Sequence, residues 1–242
     1  MPGTIVQTSN MKRDMNPDAT QSAETELARL IDGLFPTNVA VSFSTRCPDT
    51  ASLLPEELTQ TQNMVASRLT EFRHGRHCAR RAMLKLGHKE APVRKRHDRS
   101  PEWPADLTGS ITHTGTFAAA AVARSTDFIS LGLDIEKAGE MEPEALRLIV
   151  RPDETGGLDG SDGSRGQVLF SIKESIYKCI HPIVHTFVDF QEMQVDLSGQ
   201  PGTFRAIPHS KNFDAAMIAG LEGRYRLAQG LIISGCWIMP TH

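Results

Sequence analysis

The sequence GLDIE, residues 132–136, is the stretch from which the fold can be read. In it two carboxylates, Asp134 and Glu136, alternate with the apolar residues Leu133 and Ile135. Because successive side chains of a β-strand point to opposite faces, this pattern predicts a strand with one apolar face and with both carboxylates on the other. Two acids on one side of a partly buried strand require a cation nearby.

A second stretch, FSIKESIYK at residues 170–178, predicts a helix. Glu174 and Lys178 lie one turn apart in it and project together. If this helix packs beside the strand of Asp134 and Glu136, three carboxylates meet, and oxygen ligands grouped in this way suit Mg²⁺ and phosphate substrates. The helix would bury an apolar face formed by Phe170, Ile172, Ile176 and Tyr177.

Length and composition bound the kind of protein. At 242 residues, the chain can form one large domain or two small ones that share a core. It has neither an apolar run that could span a bilayer nor a signal-peptide core, which predicts a cytoplasmic protein without membrane contact. Its four cysteines form no CxxC pair, so neither disulfides nor a zinc site is expected. The net charge of −3 argues against nucleic-acid binding.

The chain is predicted to contain a flexible N-terminus and two α/β halves. We place the N-terminus at residues 1–22, the first half at 23–125 and the second at 126–242. In the first half, a short helix is expected over 24–34 and a strand over 39–44, whereas 117–123 is a strand or a buried helix. In the second half, we expect a helix over 143–150, a flexible loop over 156–166, turns at 198–199 and at Gly223, and strands over 193–197, 203–207 and 231–238.

A long helix is predicted to start at Pro55 and to end at Gly87. Arg76 occupies a core position in its apolar stripe, so we expect the guanidinium to meet an anion at the edge of the core. Arg68 lies about two turns before Arg76 and Arg80 about one turn after it. An equally good interpretation is that the long side chains of these three arginines extend to a solvated face of the helix. The apolar stripe consists of Val65, Leu69, Phe72, Ala79, Met83 and Leu86.

His113 lies among small residues in SITHTG, residues 110–115, which predicts a turn that exposes its ring to an anion. A lone histidine is also compatible with a purely structural role. Likewise the strand acids could form a solvated edge, and Lys173, Glu174 and Lys178 could belong to an exposed helix with one ion pair. Taken one at a time, these elements leave both interpretations open.

Together, four motifs resemble 4′-phosphopantetheinyl transferases of the group that serves siderophore, nonribosomal peptide and polyketide synthesis. The motifs are RLTEFRHGRHCARRAM at residues 68–83, WPADLTGSITHTG at 103–115, GLDIE and FSIKESIYK, in the order and at the separations typical of the family. The resemblance extends from Arg68 to Lys178. It implies an α/β fold of two similar halves related by a pseudo-twofold axis, with coenzyme A in the cleft between them.

The resemblance implies a reaction and roles for individual residues. The phosphopantetheine arm of coenzyme A would pass to a serine of an acyl or peptidyl carrier protein, and 3′,5′-ADP would be released. The reaction would depend on Mg²⁺ or Mn²⁺, and the enzyme would be a monomer. Asp134, Glu136 and Glu174 would hold the metal, and Glu174, Lys178 and His113 would be catalytic, with Glu174 as the candidate base. Coenzyme A would contact Arg68, Arg76, Lys95, Ser110, Thr112, His113, Lys173 and Lys178.

Two other functions remain open on the sequence. A regulatory module that binds coenzyme A or a nucleotide could keep the phosphate site without catalysing transfer, although it would have little need of Asp134, Glu136 and Glu174. An unrelated Mg²⁺-dependent phosphohydrolase could share the acids alone, although the basic helix argues against it.

Overall fold

The computed structural model describes residues 27–31, 33–154 and 163–240. It contains helices and antiparallel sheets, which confirms the predicted α/β class. Residues 27–31 are helical, and the further helices are α1 (Pro55–Leu58), α2 (Ala66–Lys85), α3 (Pro143–Ile149) and α4 (Gly163–Val184). The strands are β1 (Ala40–Ser44), β2 (Arg94–Lys95), β3 (Pro101–Glu102), β4 (Leu107–Thr114), β5 (Phe117–Arg124), β6 (Ser130–Lys137), β7 (Met193–Asp196), β8 (Thr203–Pro208), β9 (Glu222–Ala228) and β10 (Leu231–Ile238).

These strands form two main sheets. A three-stranded sheet has the order β1-β5-β4, and a five-stranded sheet has the order β6-β10-β9-β8-β7. Strands β2 and β3 form a separate ribbon. The chain passes from the first sheet to the second between Arg124 and Ser130. The proposed division into halves at residue 125 stays a prediction.

Strand β5 connects the cores on both faces of the first sheet. Ala119, Ala121 and Ala123 pack into a cluster with Phe35 and Trp237, which draws on both sheets. The alternate residues Ala118, Ala120 and Val122 pack under α2. This period-two burial identifies residues 117–123 as a strand rather than a buried helix, and the small alanine side chains let α2 lie close to the sheet.

Helix α4 lies against β6 because Gly132 has no side chain. A Cβ atom at Gly132 would stand 1.9 Å from the backbone oxygen of Ser175. No β-carbon fits at that separation, so the helix would have to move. This contact brings the two stretches that organise the chain together, as their sequences predict.

The predicted helix from Pro55 to Gly87 is wrong in its first third. Residues 59–65 separate α1 from α2, and Val65 is 70% exposed rather than part of the core stripe. The cause is Glu57, whose buried carboxylate accepts hydrogen bonds from Arg80 (2.7 Å) and from the N–H of Val93 (2.9 Å). These bonds fold α1 back beside α2, which a continuous helix could not do.

Other local predictions have mixed outcomes. Gly223 lies inside β9 rather than in a turn, because only glycine leaves room there for the ring of Phe204. Residues 163–166 begin α4, whereas residues 156–162 of the predicted loop lie outside the described residues. So do residues 1–26, with the predicted flexible N-terminus and the start of the predicted helix over 24–34. The helix over 143–150 and the strands near 39, 193, 203 and 231 are confirmed.

Among the described residues, the helices are all too short or too polar to cross a membrane.

Candidate active site

The site centres on Asp134 of β6, which is 2% exposed. Its Oδ1 atom accepts hydrogen bonds from Lys178 Nζ of α4 at 2.6 Å and from Thr112 Oγ1 of β4 at 3.2 Å. Lys178 Nζ also lies 3.3 Å from Thr112 Oγ1 and from the carbonyl oxygen of Leu133. Three elements therefore meet at one carboxylate, and the contact between strand and helix expected from the sequence is present.

Two further acids, Glu136 and Glu174, interact electrostatically with Asp134, and the negative charges of the three groups disfavour one another. Burial, followed by the charge of Asp134, raises the pKa of Glu136 to about 7, and Glu174 adds to the rise. Burial likewise raises the pKa of Glu174, whose charge is opposed by Asp134 and supported by Lys178. A cation placed among these groups would favour their ionised forms.

The donor chemistry fits a divalent cation, although the side chains do not converge as a finished site. Asp134 Oδ2 is buried without a hydrogen-bond partner, which leaves one carboxylate oxygen available. In the parts of the chain that the structure describes, no group of three or more His, Cys, Asp or Glu side chains is arranged to hold a metal ion. Lys178 places a positive charge beside Asp134. The assignment of Asp134, Glu136 and Glu174 as metal ligands stays a prediction.

Strand β4 contributes to the site from both of its faces. Ser110 and Thr112 point toward β6, where Ser110 Oγ accepts a hydrogen bond from the N–H of Leu133 at 3.0 Å. His113 points the other way, toward α2. The residues predicted to form an exposed turn therefore lie in a strand, because alternate hydroxyl groups are buried against β6, and the actual turn follows at Gly115.

His113 meets two charged residues of α2. Its Nε2 atom lies 3.2 Å from Arg68 Nη1 and 3.8 Å from Glu71 Oε2, and Arg68 and Glu71 also form an ion pair at 2.9 Å. Because a guanidinium only donates hydrogen bonds, the contact with Arg68 is a hydrogen bond only when Nε2 carries no proton. Burial lowers the pKa of His113, and Glu71 opposes the shift while Arg68 adds to it.

Arg76 is buried at the core edge, but its partners are not an anion. Its Nε atom donates to the carbonyl oxygen of Val93 at 2.8 Å, and the guanidinium lies 4.0 Å from the centre of the Phe72 ring. The predicted anionic partner belongs instead to Arg80, which pairs with Glu57. Arg76 thus anchors the segment that leads into Lys95.

The backbone of Lys95 is held in place by the side chain of Gln60. Its N–H donates to Gln60 Oε1 at 2.7 Å, and its carbonyl oxygen accepts from Gln60 Nε2 at 2.8 Å. One glutamine side chain therefore acts like a neighbouring strand and fixes the position from which the lysine side chain extends.

Lys173 does not join the phosphate-binding set expected from the sequence. Its ammonium is buried and donates to Glu154 Oε2 (2.8 Å) and to the carbonyl oxygens of Ile149 (2.7 Å) and Phe190 (2.9 Å). All three protons are therefore used. Because each helix residue is rotated by about 100° from the one before it, Lys173 and Lys178, which are five residues apart, point about 140° away from each other on α4. We leave Lys173 out of the proposed phosphate-binding residues.

A cleft of about 470 Å³ opens beside Ser110 and Lys178. Its opposite wall is the segment that follows β2, where Asp98 Oδ2 lies 3.8 Å from His181 Nδ1 of α4. The sequence interpretation missed several lining residues, although the bracketing prolines and the arginine-rich loop were visible signals. These residues are Arg96, Arg99, Trp103, Tyr177 and His181. It also missed Glu71, which the three-residue spacing from Arg68 could have indicated.

Comparison with known families shows which proteins the chain is similar to. Residues 55–123 match the 4′-phosphopantetheinyl transferase N-terminal domain, and residues 130–229 match the 4′-phosphopantetheinyl transferase superfamily. The chain is 34% identical over 201 residues to 4′-phosphopantetheinyl transferase Svp of Streptomyces mobaraensis, covering 80% of this chain and 82% of the relative.

Two further relatives extend the comparison. PptT of Mycobacterium tuberculosis, also a 4′-phosphopantetheinyl transferase, is 30% identical over 75% of this chain and 84% of its own length. Enterobactin synthase component D of Escherichia coli is 33% identical over 56% of this chain and 65% of its own length. By its matched regions and by its identity to relatives covered over most of their length, the chain belongs to the 4′-phosphopantetheinyl transferase superfamily.

Proposed function

We propose that this protein transfers the phosphopantetheine arm of coenzyme A to a serine of apo acyl and peptidyl carrier proteins and releases 3′,5′-ADP. Membership of the transferase superfamily supports the reaction. The observation that carries the site is the meeting of Asp134, Lys178 and Thr112 beside Glu174, at the edge of a cleft. The serine oxygen would attack the phosphorus that bears the arm, and the bond from that phosphorus to the leaving 3′,5′-ADP would break.

The proposed binding residues divide between the two phosphate regions of coenzyme A. Arg68 and His113 would bind the 3′-phosphate, and Lys95 would act near it from the segment that Arg76 and Gln60 hold. Lys178 would stabilise the negative charge that builds on the leaving phosphate, and Thr112 would orient Lys178. Ser110 would support this geometry through its hydrogen bond to β6.

Glu174 is the proposed general base. It lies on the same side of α4 as Lys178, one helical turn away. It would take the proton of the carrier serine directly or through a water. Asp134, Glu136 and Glu174 would hold Mg²⁺, or Mn²⁺ in its place, which when bound would neutralise charge on the pyrophosphate.

Intact-mass spectrometry tests this proposal. Apo acyl and peptidyl carrier proteins are incubated with the protein, coenzyme A and Mg²⁺, with a chelated sample alongside. We expect the carrier protein to gain the mass of one phosphopantetheine arm, and we expect chelation to abolish this gain. With the Glu174→Ala enzyme, which should remain folded, the carrier protein should show almost no gain. Transfer by Glu174→Ala at the wild-type rate would remove this residue from the site.

The same assay separates the alternative functions. Binding of coenzyme A without transfer to any carrier would favour the regulatory module, and inorganic phosphate as the product would favour a phosphohydrolase. We also propose that the protein is a cytoplasmic monomer. Light scattering coupled to gel filtration tests the oligomeric state, and a dimer at micromolar concentration would contradict it.

A further inference from the structure

Glu71 places a negative charge between two groups that the proposed function assigns to a negatively charged ligand. Its Oε2 atom lies 2.9 Å from Arg68 Nη1 and 3.8 Å from His113 Nε2. All three side chains remain open to solvent, with exposed fractions of 56% for Arg68, 35% for Glu71 and 36% for His113. A ligand phosphate that reaches Arg68 and His113 therefore also meets the carboxylate.

A carboxylate oxygen and a phosphate oxygen accept the same hydrogen bonds. Arg68 Nη1 is already directed at Glu71 and at His113. An incoming phosphate must either displace the carboxylate from Arg68 or bind beside it, and in both cases it works against a like charge. Because these groups are partly solvated, the repulsion is screened but not removed.

We infer that Glu71 is an internal competitor for the 3′-phosphate of coenzyme A and that it limits how tightly the protein holds ligands carrying this group. The inference rests on the proposed assignment of Arg68 and His113 to the 3′-phosphate. Glu71 sets the affinity for a ribose phosphomonoester by occupying part of its binding place in the ligand-free protein.

The informative substitution is Glu71→Gln, because it removes the charge and keeps the shape. The amide oxygen still accepts a hydrogen bond from Arg68, and the amide N–H₂ can donate to His113. The positions of the phosphate-binding groups are therefore kept while the competition is removed. If Glu71 only positioned Arg68, the same substitution would weaken binding or leave it unchanged.

The experiment measures dissociation constants by calorimetry for 3′,5′-ADP and for 5′-AMP, which differs from it only by lacking the 3′-phosphate. Glu144→Gln is the matched control, since Glu144 forms an exposed ion pair with Arg147 at the same three-residue spacing on α3. We expect Glu71→Gln to tighten the binding of 3′,5′-ADP by roughly threefold to tenfold, the effect of removing one screened charge within a few ångströms. We expect 5′-AMP to bind the variant and the wild type equally, and we expect Glu144→Gln to change neither constant.

The outcomes separate the inference from the function beneath it. Unchanged or weaker binding of 3′,5′-ADP by Glu71→Gln overturns the competition, as does an equal gain for both nucleotides. Wild-type protein that binds both nucleotides equally overturns the 3′-phosphate assignment and the inference with it. The transfer reaction is measured separately on carrier proteins, so loss of the inference leaves the proposed function standing, and loss of transfer leaves these binding constants interpretable.

Discussion

Lys178 Nζ and Asp134 Oδ1 lie 2.6 Å apart and join α4 to β6 at the centre of the site. The aspartate side chain is 3% exposed and the lysine side chain 28%. Lys178 is therefore the positively charged partner of a buried carboxylate, while the second oxygen of Asp134 has no hydrogen-bond partner.

Replacing Lys178 by methionine should expose this dependence. Asp134 would lose its cation, so we expect the metal-free variant to lose about 2 kcal/mol of unfolding free energy, the cost of a buried charged group that loses its partner. We further expect Mg²⁺ to raise the melting temperature of this variant more than that of the wild type, with transfer strongly reduced. Thermal melts with EDTA and with Mg²⁺ measure both effects. Lys211→Met, an exposed substitution, is the control, and equal metal stabilisation in all three proteins would contradict the expectation.

The raised pKa of Glu136 predicts how stability depends on pH. Because its pKa is about 7 in the folded protein, against an ordinary value of 4.5, the folded state binds more protons than the unfolded state between these values. The contribution of Glu136 to the unfolding free energy is thus present below pH 4.5 and is lost as the pH rises toward 7. Glu136→Gln should flatten this part of the profile in denaturant titrations with EDTA. A slope identical to that of the wild type would show that Glu136 titrates normally.

Lys173→Met distinguishes a structural lysine from one that binds phosphate. The substitution leaves the buried carboxylate of Glu154 with two backbone donors, from Arg151 and Val195, but without a cation. We therefore expect a loss of about 3–5 kcal/mol in unfolding free energy. Below the lowered melting temperature, the KM for coenzyme A should stay close to that of the wild type. The double variant Lys173→Met with Glu154→Gln should recover part of the stability. A raised KM with unchanged stability would return Lys173 to the phosphate-binding set.

The central elements could be predicted because their signals are local. The alternation around Asp134 and the helical spacing around Glu174 and Lys178 are complete within nine residues. Their juxtaposition follows from Gly132, whose missing side chain admits the helix. The α/β class and the acidic centre could therefore be inferred before the structure was known.

The features that could not be predicted depend on residues far apart in the sequence or on the direction in which a side chain points from its helix. The break between α1 and α2 arises from Glu57, whose partner Arg80 lies 23 residues away. Lys173 is next to Glu174 in sequence, but the helix rotates by about 100° per residue, and Lys173 points toward Glu154. The small residues around His113 suggest a turn, whereas pairing with β5 makes them a strand.

The two faces of β4 have a consequence for the shape of any ligand that contacts both Thr112 and His113. Thr112 reaches the acidic centre and His113 reaches Arg68, yet the two are adjacent residues whose Cα atoms are held about 3.8 Å apart by a peptide bond. Covalent geometry thus fixes the distance between the backbone positions of Thr112 and His113, and this distance does not change when the packing of the core loosens. A deletion or insertion of one residue in β4 would exchange the faces of its side chains. The contact of Thr112 with Asp134 and that of His113 with Arg68 would then be lost together.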